Sequence, residues 1–596
     1  MRYDSKKFDK AVRYYKLALK GRIKKGNTVL VEMPLANEKA FFSIAPLSRA
    51  VHELGADMSV FVCGRGESKT LKVLEKIFSA FEELKKGAEN KETMALQGFI
   101  ETVNKKTKSK EFGKLFERPA VWAKAGKNGF SAEGFLAKYK PEWFKRFKWK
   151  QLLKTAKKIW VQGYGLKKSE RVSIAFELMP KPKDLDLPLQ DYLDSYAIAY
   201  AMATKAKQLA KEAFAGAGTN RMSQLKPMVK IDDLAATIVG CEYEKNIPEP
   251  WFKAFKKVSK EFKVNTLKTA DVSFGVHGKG YGGKHFFGSK IGYPTPNMQS
   301  RWQAPGQMFL KPWWYTQTKL DNRPAKRRHA ITETLPIENF IATCNIDYFA
   351  MRKRDEKIRD TMKKCVKLFV RGKPVKGGQT NLTLDLRHTH DGKSPILTSD
   401  IEVNPITPGE AAHIFKVKAG RYGNFPGGEV FLTPHKMDGV FVGDVVIAID
   451  QSYIIGEKNP LVVSVKNGSY KIISGPKKIL QAFKCRKKEA WKMILELEKT
   501  GAMPKSEIAS YKRNFKRVGE FAVNTNPKAR LSRYLIETEK LARMIHIALG
   551  SGYEPGRETT YHCDIVINNP RQKTNIFGID EKGREHWIIK KGKFVV

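Results

Sequence analysis

Cysteine is scarce in this sequence. There are six in 596 residues (Cys63, Cys241, Cys344, Cys365, Cys485 and Cys563), and none forms a CxxC pair. So sparse a set excludes a disulfide framework and points to a reducing compartment, so a cytoplasmic location is expected. No apolar run reaches the roughly 18 residues that a membrane span needs, and none is expected. The opening MRYDSKKFDK has no apolar core of the kind that a signal segment carries. There are no internal repeats and no low-complexity tracts. Acid is also in deficit: 61 Asp and Glu stand against 110 Lys and Arg, for a formal charge of +49. Such an excess usually marks a nucleic-acid or anionic-surface partner. Here the cations are spread along the whole chain and not gathered into an arm, which fits solvated faces of a lysine-rich protein. Nucleic acid is therefore the alternative partner and not the favoured one.

Hydrophobic residues make up 41% of the chain, enough for packed cores. At roughly 100–200 residues per domain, the length suggests two to four domains. Residues 8–23 have a helical pattern. GNTVLVEMP from Gly26, FFSIAPLSRAVHELGA ending at Gly55, and MSVFVCG from Met58 read as strand, helix and strand. That is a βαβ unit, which implies a parallel sheet. IWVQGYG from Ile159 and SIAFELMP from Ser173 read as strands, and residues 191–215 as a long helix. A further helix is expected over 347–368. From about Thr380 the chain turns β-rich, through TNLTLDLR, GEVFLTP, GVFVGDVVIAID and PLVVSV. The expected fold class is α/β: an N-terminal domain with a parallel βαβ sheet (1–370, with a large insertion at about 100–330) and a C-terminal mixed α+β catalytic domain (371–596).

Four stretches of the second half carry residues suited to metal chemistry. In TYHCDIVI, His562 and Asp564 are two apart, so on a strand they share a face while Tyr561, Cys563 and Ile565 face the other way. Alone, that spacing is more often a surface polar pair than a ligand pair. His546, in EKLARMIHIALGSGY, follows what reads as a helix ending at Gly550. A core histidine is the plainer reading there. Glu539 would lie two helical turns earlier on the same face. Glu429 follows two glycines in NFPGGEVFLTP, and Glu520 sits among apolar residues in VGEFAVNTNP. Carboxylates in such surroundings need a compensating charge, which divalent ions would supply.

Taken in order, NFPGGEVFLTP, VGEFAVNTNP, EKLARMIHIALGSGY and YHCD resemble the signature segments of the aminopeptidase T family, the two-metal leucyl aminopeptidases first known from thermophiles. TNLTLDLR resembles the segment that opens that family's catalytic half, and the match spans roughly 1–65 and 340–596. The resemblance implies a metal-dependent aminopeptidase acting on peptides, with two divalent ions (zinc, cobalt or manganese) and a homodimer. It implies metal ligands at Glu429, Glu520, His546, His562 and Asp564, with Glu539 as a further acidic candidate. It also matches Tyr553 to a tyrosine seven residues after the first histidine, expected to donate a hydrogen bond to the oxyanion. Glu520 is expected as a bridging ligand, the base, or both in turn. Glu429 is the candidate for holding the substrate's amino terminus.

Other signals are set aside. GKGYGG from Gly278 lacks the ending and setting of a phosphate loop. His388, His390 and Asp391 in RHTHD read as a surface turn. KPEWFKRFKWKQLLKTAKKIW from Lys140 alternates cations with aromatics and reads as an amphipathic helix packing its aromatics inward, with RNA or an anionic membrane surface as the alternative. The aromatic, Gly- and Pro-rich part of the insertion, around Gly278 to Gly292, is expected to form loops that cap the active site.

Overall fold

The computed structural model describes residues 2–20, 23, 25, 28–34, 38–63, 120–123, 144–145, 148–179, 182, 185, 188–218, 272–277, 328–333, 335–391, 395–401, 421–449, 452–500, 505–552, 554 and 556–596. They fall into two compact units. One takes the described residues of 1–278, 300–338 and 414–421, and the other those of 279–299, 339–413 and 422–596. Most of the insertion, including Gly278 to Gly292, lies outside the described residues.

In the first unit, helix α1 (Ser5–Leu19) starts where the Asp4 carboxylate accepts from the Lys7 amide at 3.1 Å. Phe8, Ala11, Val12, Tyr15 and Leu19 recur every three or four residues and form its buried stripe. Strand β1 (Thr28–Pro34), helix α2 (Glu38–Glu53) and strand β2 (Asp57–Cys63) make the expected βαβ unit, with β1 and β2 parallel and Thr28 opposite Asp57. Strand β3 (Ala120–Ala123), helix α3 (Trp149–Lys158), strand β4 (Arg171–Glu177), helix α4 (Leu189–Leu209) and strands β5 (Glu212–Gly218), β6 (Val272–His277) and β7 (Arg328–Glu333) complete it. The sheet runs β7-β6-β4-β5-β2-β1-β3. Its neighbours are parallel except for the antiparallel join of β2 to β5.

Two expectations fail here. Ile159–Gly163 is not a strand but a π turn continuing α3. Trp160 is fully buried and donates from Nε1 to the Met202 carbonyl at 2.9 Å. An apolar run buried on all sides has no periodicity to distinguish the two states. The long helix ends at Leu209 because 212–218 is needed as a strand between β4 and β2. The inward packing of Trp160 agrees with the amphipathic reading of its segment.

The second unit holds helix α5 (Tyr348–Lys363), capped by the Asp347 side chain, and two antiparallel sheets. The helix is shorter than expected because Lys367–Arg371 is strand β8, paired with β9 (Asn381–Asp385). Strands β10 (Leu397–Thr398), β11 (Glu429–Leu432), β12 (Lys436–Gly443), β13 (Val446–Ala448), β14 (Ser452–Ile454), β15 (Leu461–Lys466) and β16 (Ser469–Ser474) follow. Helices α6 (Lys477–Thr500) and α7 (Lys505–Asn514) come next. Strands β17 (Val518–Asn524), β18 (Ile545–Gly550), β19 (His562–Ile567), β20 (Asn575–Ile579), β21 (Glu585–Lys590) and β22 (Lys593–Phe594) close the chain. The eight-stranded sheet runs β16-β15-β12-β9-β8-β20-β21-β22, and the seven-stranded one β10-β11-β17-β18-β19-β13-β14.

The middle strands β17, β18 and β19 are buried at every position. That explains a fourth correction: His546 lies within β18, not at the end of a helix. Only the single turn Leu535–Thr538 is helical, and Glu539 caps it. Gly550 ends the strand with φ +107°, where a Cβ would stand 2.3 Å from the Tyr561 carbonyl oxygen.

Candidate metal centre

Strand register assembles the site. Glu429 pairs with Asn524, Ala522 with His546, Glu520 with Ala548, Ala548 with Asp564, and Gly550 with His562. Directly opposed residues share a face of an antiparallel sheet, as do alternate residues of one strand. Glu429, Glu520, His546, His562 and Asp564 therefore project from one face of β11, β17, β18 and β19. The positions among them are Ala522, Ala548 and Gly550, whose small size leaves room between the polar groups. Phe521, Val523, Ile547, Leu549, Cys563 and Ile565 take the opposite face as core. All five polar residues are buried.

Glu520 divides its two oxygens between two histidines. Its Oε1 lies 3.3 Å from His546 Nε2 and its Oε2 3.3 Å from His562 Nε2. His546 Nε2 is also 3.6 Å from Glu429 Oε2, and His562 Nε2 is 3.0 Å from Asp564 Oδ1. Two triads result, Glu429–Glu520–His546 and Glu520–His562–Asp564, each with its ligand atoms within 4.8 Å of one another. Ligands bonded to one tetrahedral ion at about 2.0–2.2 Å stand roughly 3.3–3.6 Å apart, so the contacts have the spacing of ligands around an ion.

The far sides of both imidazoles are fixed. His562 Nδ1 is 2.7 Å from the Ser551 carbonyl oxygen, which can only accept, so Nδ1 carries the proton. His546 Nδ1 lies 2.8 Å from Asn524 Oδ1. With those protons placed, both Nε2 atoms face carboxylates. A lone pair there is repelled unless a proton or a metal lies between. Without metal, the proton takes that place. Burial alone would lower the His546 pKa, but Glu520, Glu429 and Asp564 raise it to about 9. His562 is likewise pushed up against its burial by Asp564 and Glu520. The Glu520 carboxyl, which burial would raise, is held below its ordinary range by hydrogen bonds and charge from the two histidines. The donor set fits divalent ions. Carboxylate oxygens and imidazole nitrogens converge in each buried triad, a mixture that suits zinc, cobalt or manganese alike.

Glu539 belongs to neither triad. Its Oε1 contacts Lys540 Nζ at 2.8 Å, and the same ammonium lies 2.5 Å from Glu429 Oε2. Burial raises the Glu539 pKa to about 7, with Asp564 and Glu429 adding to the effect and Lys540 opposing it. Lys540 is itself buried, and the two glutamates hold its proton on against that burial. Sequence reasoning missed Lys540, because a lysine is by default solvated. It also missed Asn524, although alternation from Glu520 through Ala522 places Asn524 on the same face. Tyr553 lies outside the described residues.

The RHTHD segment forms a short 3₁₀ turn, Arg387–Thr389. His388 stands near His435 and Glu554, close enough for a third cluster. The two imidazoles stack with centroids 4.0 Å apart at 16°. An ion would have to lie in both ring planes, and nearly parallel planes offer no such point. His390 turns instead to the Cys365 carbonyl at 3.0 Å.

No family model matches the chain, and no curated protein matches it. Among solved structures it is similar to AmpT from Thermus thermophilus, at 14% identity and a TM-score of 0.39, over 76% of this chain and 100% of that one. A likeness that distant carries no argument about the site.

Proposed function

We propose that the chain is a metal-dependent aminopeptidase that hydrolyses N-terminal residues from peptides at a two-ion centre. The observation that carries this reading is Glu520, with one oxygen toward each of two histidine-containing triads on a single sheet face. The likeness of NFPGGEVFLTP, VGEFAVNTNP, EKLARMIHIALGSGY and YHCD to the aminopeptidase T segments supports it and supplies the substrate class. Two divalent ions held there would acidify a shared water and polarise the scissile carbonyl. Glu429, Glu520, His546, His562 and Asp564 are the ligands in this reading, with Glu520 as the bridge. Ser551 and Asn524 orient the imidazoles. Glu539, tethered by Lys540, is in this reading the carboxyl outside both triads that receives a proton from the water or holds the substrate's α-ammonium. Tyr553, seven residues beyond His546, is the donor to the oxyanion.

The test joins metal content to substrate ends. Metal-loaded protein should hold two divalent ions and hydrolyse members of an aminoacyl-amide panel, and N-acetylation of a good peptide substrate should remove nearly all turnover. His562→Ala and Asp564→Ala should each lose hydrolysis while keeping the fold. Equal cleavage of acetylated and free peptides would exclude an aminopeptidase. The alternative of polyanion binding has the net charge in its favour, but Trp160, in the segment that suggested it, is spent on the core.

A further inference from the structure

Resting on the two-ion reading, we propose that Lys540 is a built-in competitor for Glu429, which makes the Glu429–Glu520–His546 subsite the weaker of the two and fixes the order in which the centre fills. Lys540 is only 2% exposed at its side chain, and its ammonium lies 2.5 Å from Glu429 Oε2 and 2.8 Å from Glu539 Oε1. The oxygen it holds is the one 3.6 Å from His546 Nε2, the atom that would face an ion in that subsite. In the other subsite, the charged group facing Asp564 Oδ1 is His562 Nε2, at 3.0 Å.

The lysine cannot easily withdraw. The Asn526 amide donates to its carbonyl at 3.1 Å, and its own amide donates to the Glu537 carbonyl at 3.1 Å. Those bonds anchor the backbone beneath a fully enclosed side chain. An ion in the first subsite must therefore share Glu429 with a fixed positive charge and also face that charge at close range, where the low local dielectric strengthens repulsion. Among the described residues, no lysine or arginine is ion-paired with Glu520 or Asp564. The Glu520–His562–Asp564 subsite fills first and holds its ion more tightly. The Glu429 side fills second and exchanges.

The experiment is a titration of metal-stripped, full-length protein with Mn(II). It is followed by calorimetry and by the electron paramagnetic signal, which distinguishes an isolated ion from a coupled pair. The wild type should bind in two steps, with an uncoupled signal near one equivalent and a coupled one only as the second, weaker step proceeds. Lys540→Met should tighten the second step by at least about tenfold, while the first changes little. Because that variant leaves two buried carboxylates facing each other, Lys540→Met combined with Glu539→Gln serves as its folded control and should show the same tightening. Glu429→Gln should remove only the second step, and Asp564→Asn should remove the first. Two ions bound with equal affinity by the wild type, or a second step unchanged or weakened in both lysine variants, would overturn the role of Lys540 and leave the two-ion reading standing. A wild type that never takes more than one ion would overturn both.

Discussion

Asn524 illustrates what a residue beside the ligands contributes. It touches no ion in the proposed centre, yet its side-chain oxygen sits 2.8 Å from His546 Nδ1 and turns Nε2 toward Glu429 and Glu520. Outer partners of this kind are worth about 10–100-fold in metal affinity or activity, so Asn524→Ala should weaken metal binding by that much with little loss of fold. Metal titration beside thermal unfolding separates the two effects. Protons give a second residue-scale expectation. Without metal, the His546 pKa is about 9, above the ordinary 6.5. A group raised on folding stabilises fully below its unfolded value and loses that contribution as pH climbs through the folded one. The metal-free protein should therefore lose the histidine contribution to stability between about pH 6.5 and 9, and His562 acts in the same direction. Metal must displace those protons, so at pH 7 the calorimetric binding enthalpy should depend on the ionisation enthalpy of the buffer. An enthalpy independent of buffer would show that the imidazoles are already neutral. At this scale the sequence singled out the five polar residues that gather on one sheet face and was silent about Lys540, since nothing in TEKLA marks a lysine that tertiary structure will enclose.

At the scale of elements, the site depends on small residues as much as on polar ones. Ala522 and Ala548 are fully buried on the ligand face, opposite His546 in one case and between Glu520 and Asp564 in the other. Ala548→Leu should fill that space. Overpacking of this kind costs about 1–3 kcal/mol, so the fold should survive while metal stoichiometry falls. Retention of both ions in a folded Ala548→Leu protein would show that the centre is not where the register places it. The strands themselves were unevenly legible. The segment 562–567 was readable because His562 and Asp564 break an otherwise apolar run at period two, and β1-α2-β2 because its period changes cleanly between elements. The segment 545–550 was not, because both faces of β18 are buried and Ile-His-Ile-Ala-Leu has no polar side to reveal its period. Gly550 reinforced the error: a glycine at a strand end with positive φ looks, in sequence, like one that ends a helix.

On the scale of the whole molecule, every proposed ligand comes from the second unit. Ions that bind only the folded form add stability in proportion to the logarithm of one plus the ratio of free ion to Kd, about 2.7 kcal/mol per site at a hundred times Kd. Chelation should accordingly lower the melting temperature of the transition belonging to the second unit and leave that of the first in place. Calorimetry with and without chelator reads this directly, and an equal shift in both transitions would contradict it. The large positive charge is a property of the entire chain, and an anionic ligand cluster buried in so basic a protein was not to be inferred from composition.

One consequence follows from how the ligand face is built. Glu429, Glu520, His546 and the His562–Asp564 pair lie on four successive strands, and each reaches the common face only through correct pairing with its neighbour. A slip of one residue in any strand would turn its ligand into the apolar side and bring a core residue out in its place. In the proposed centre, metal capture would act as a proofreading step in folding. Only the chain whose four strands are all in phase can close both triads, and every misaligned isomer forgoes the binding energy of the ions.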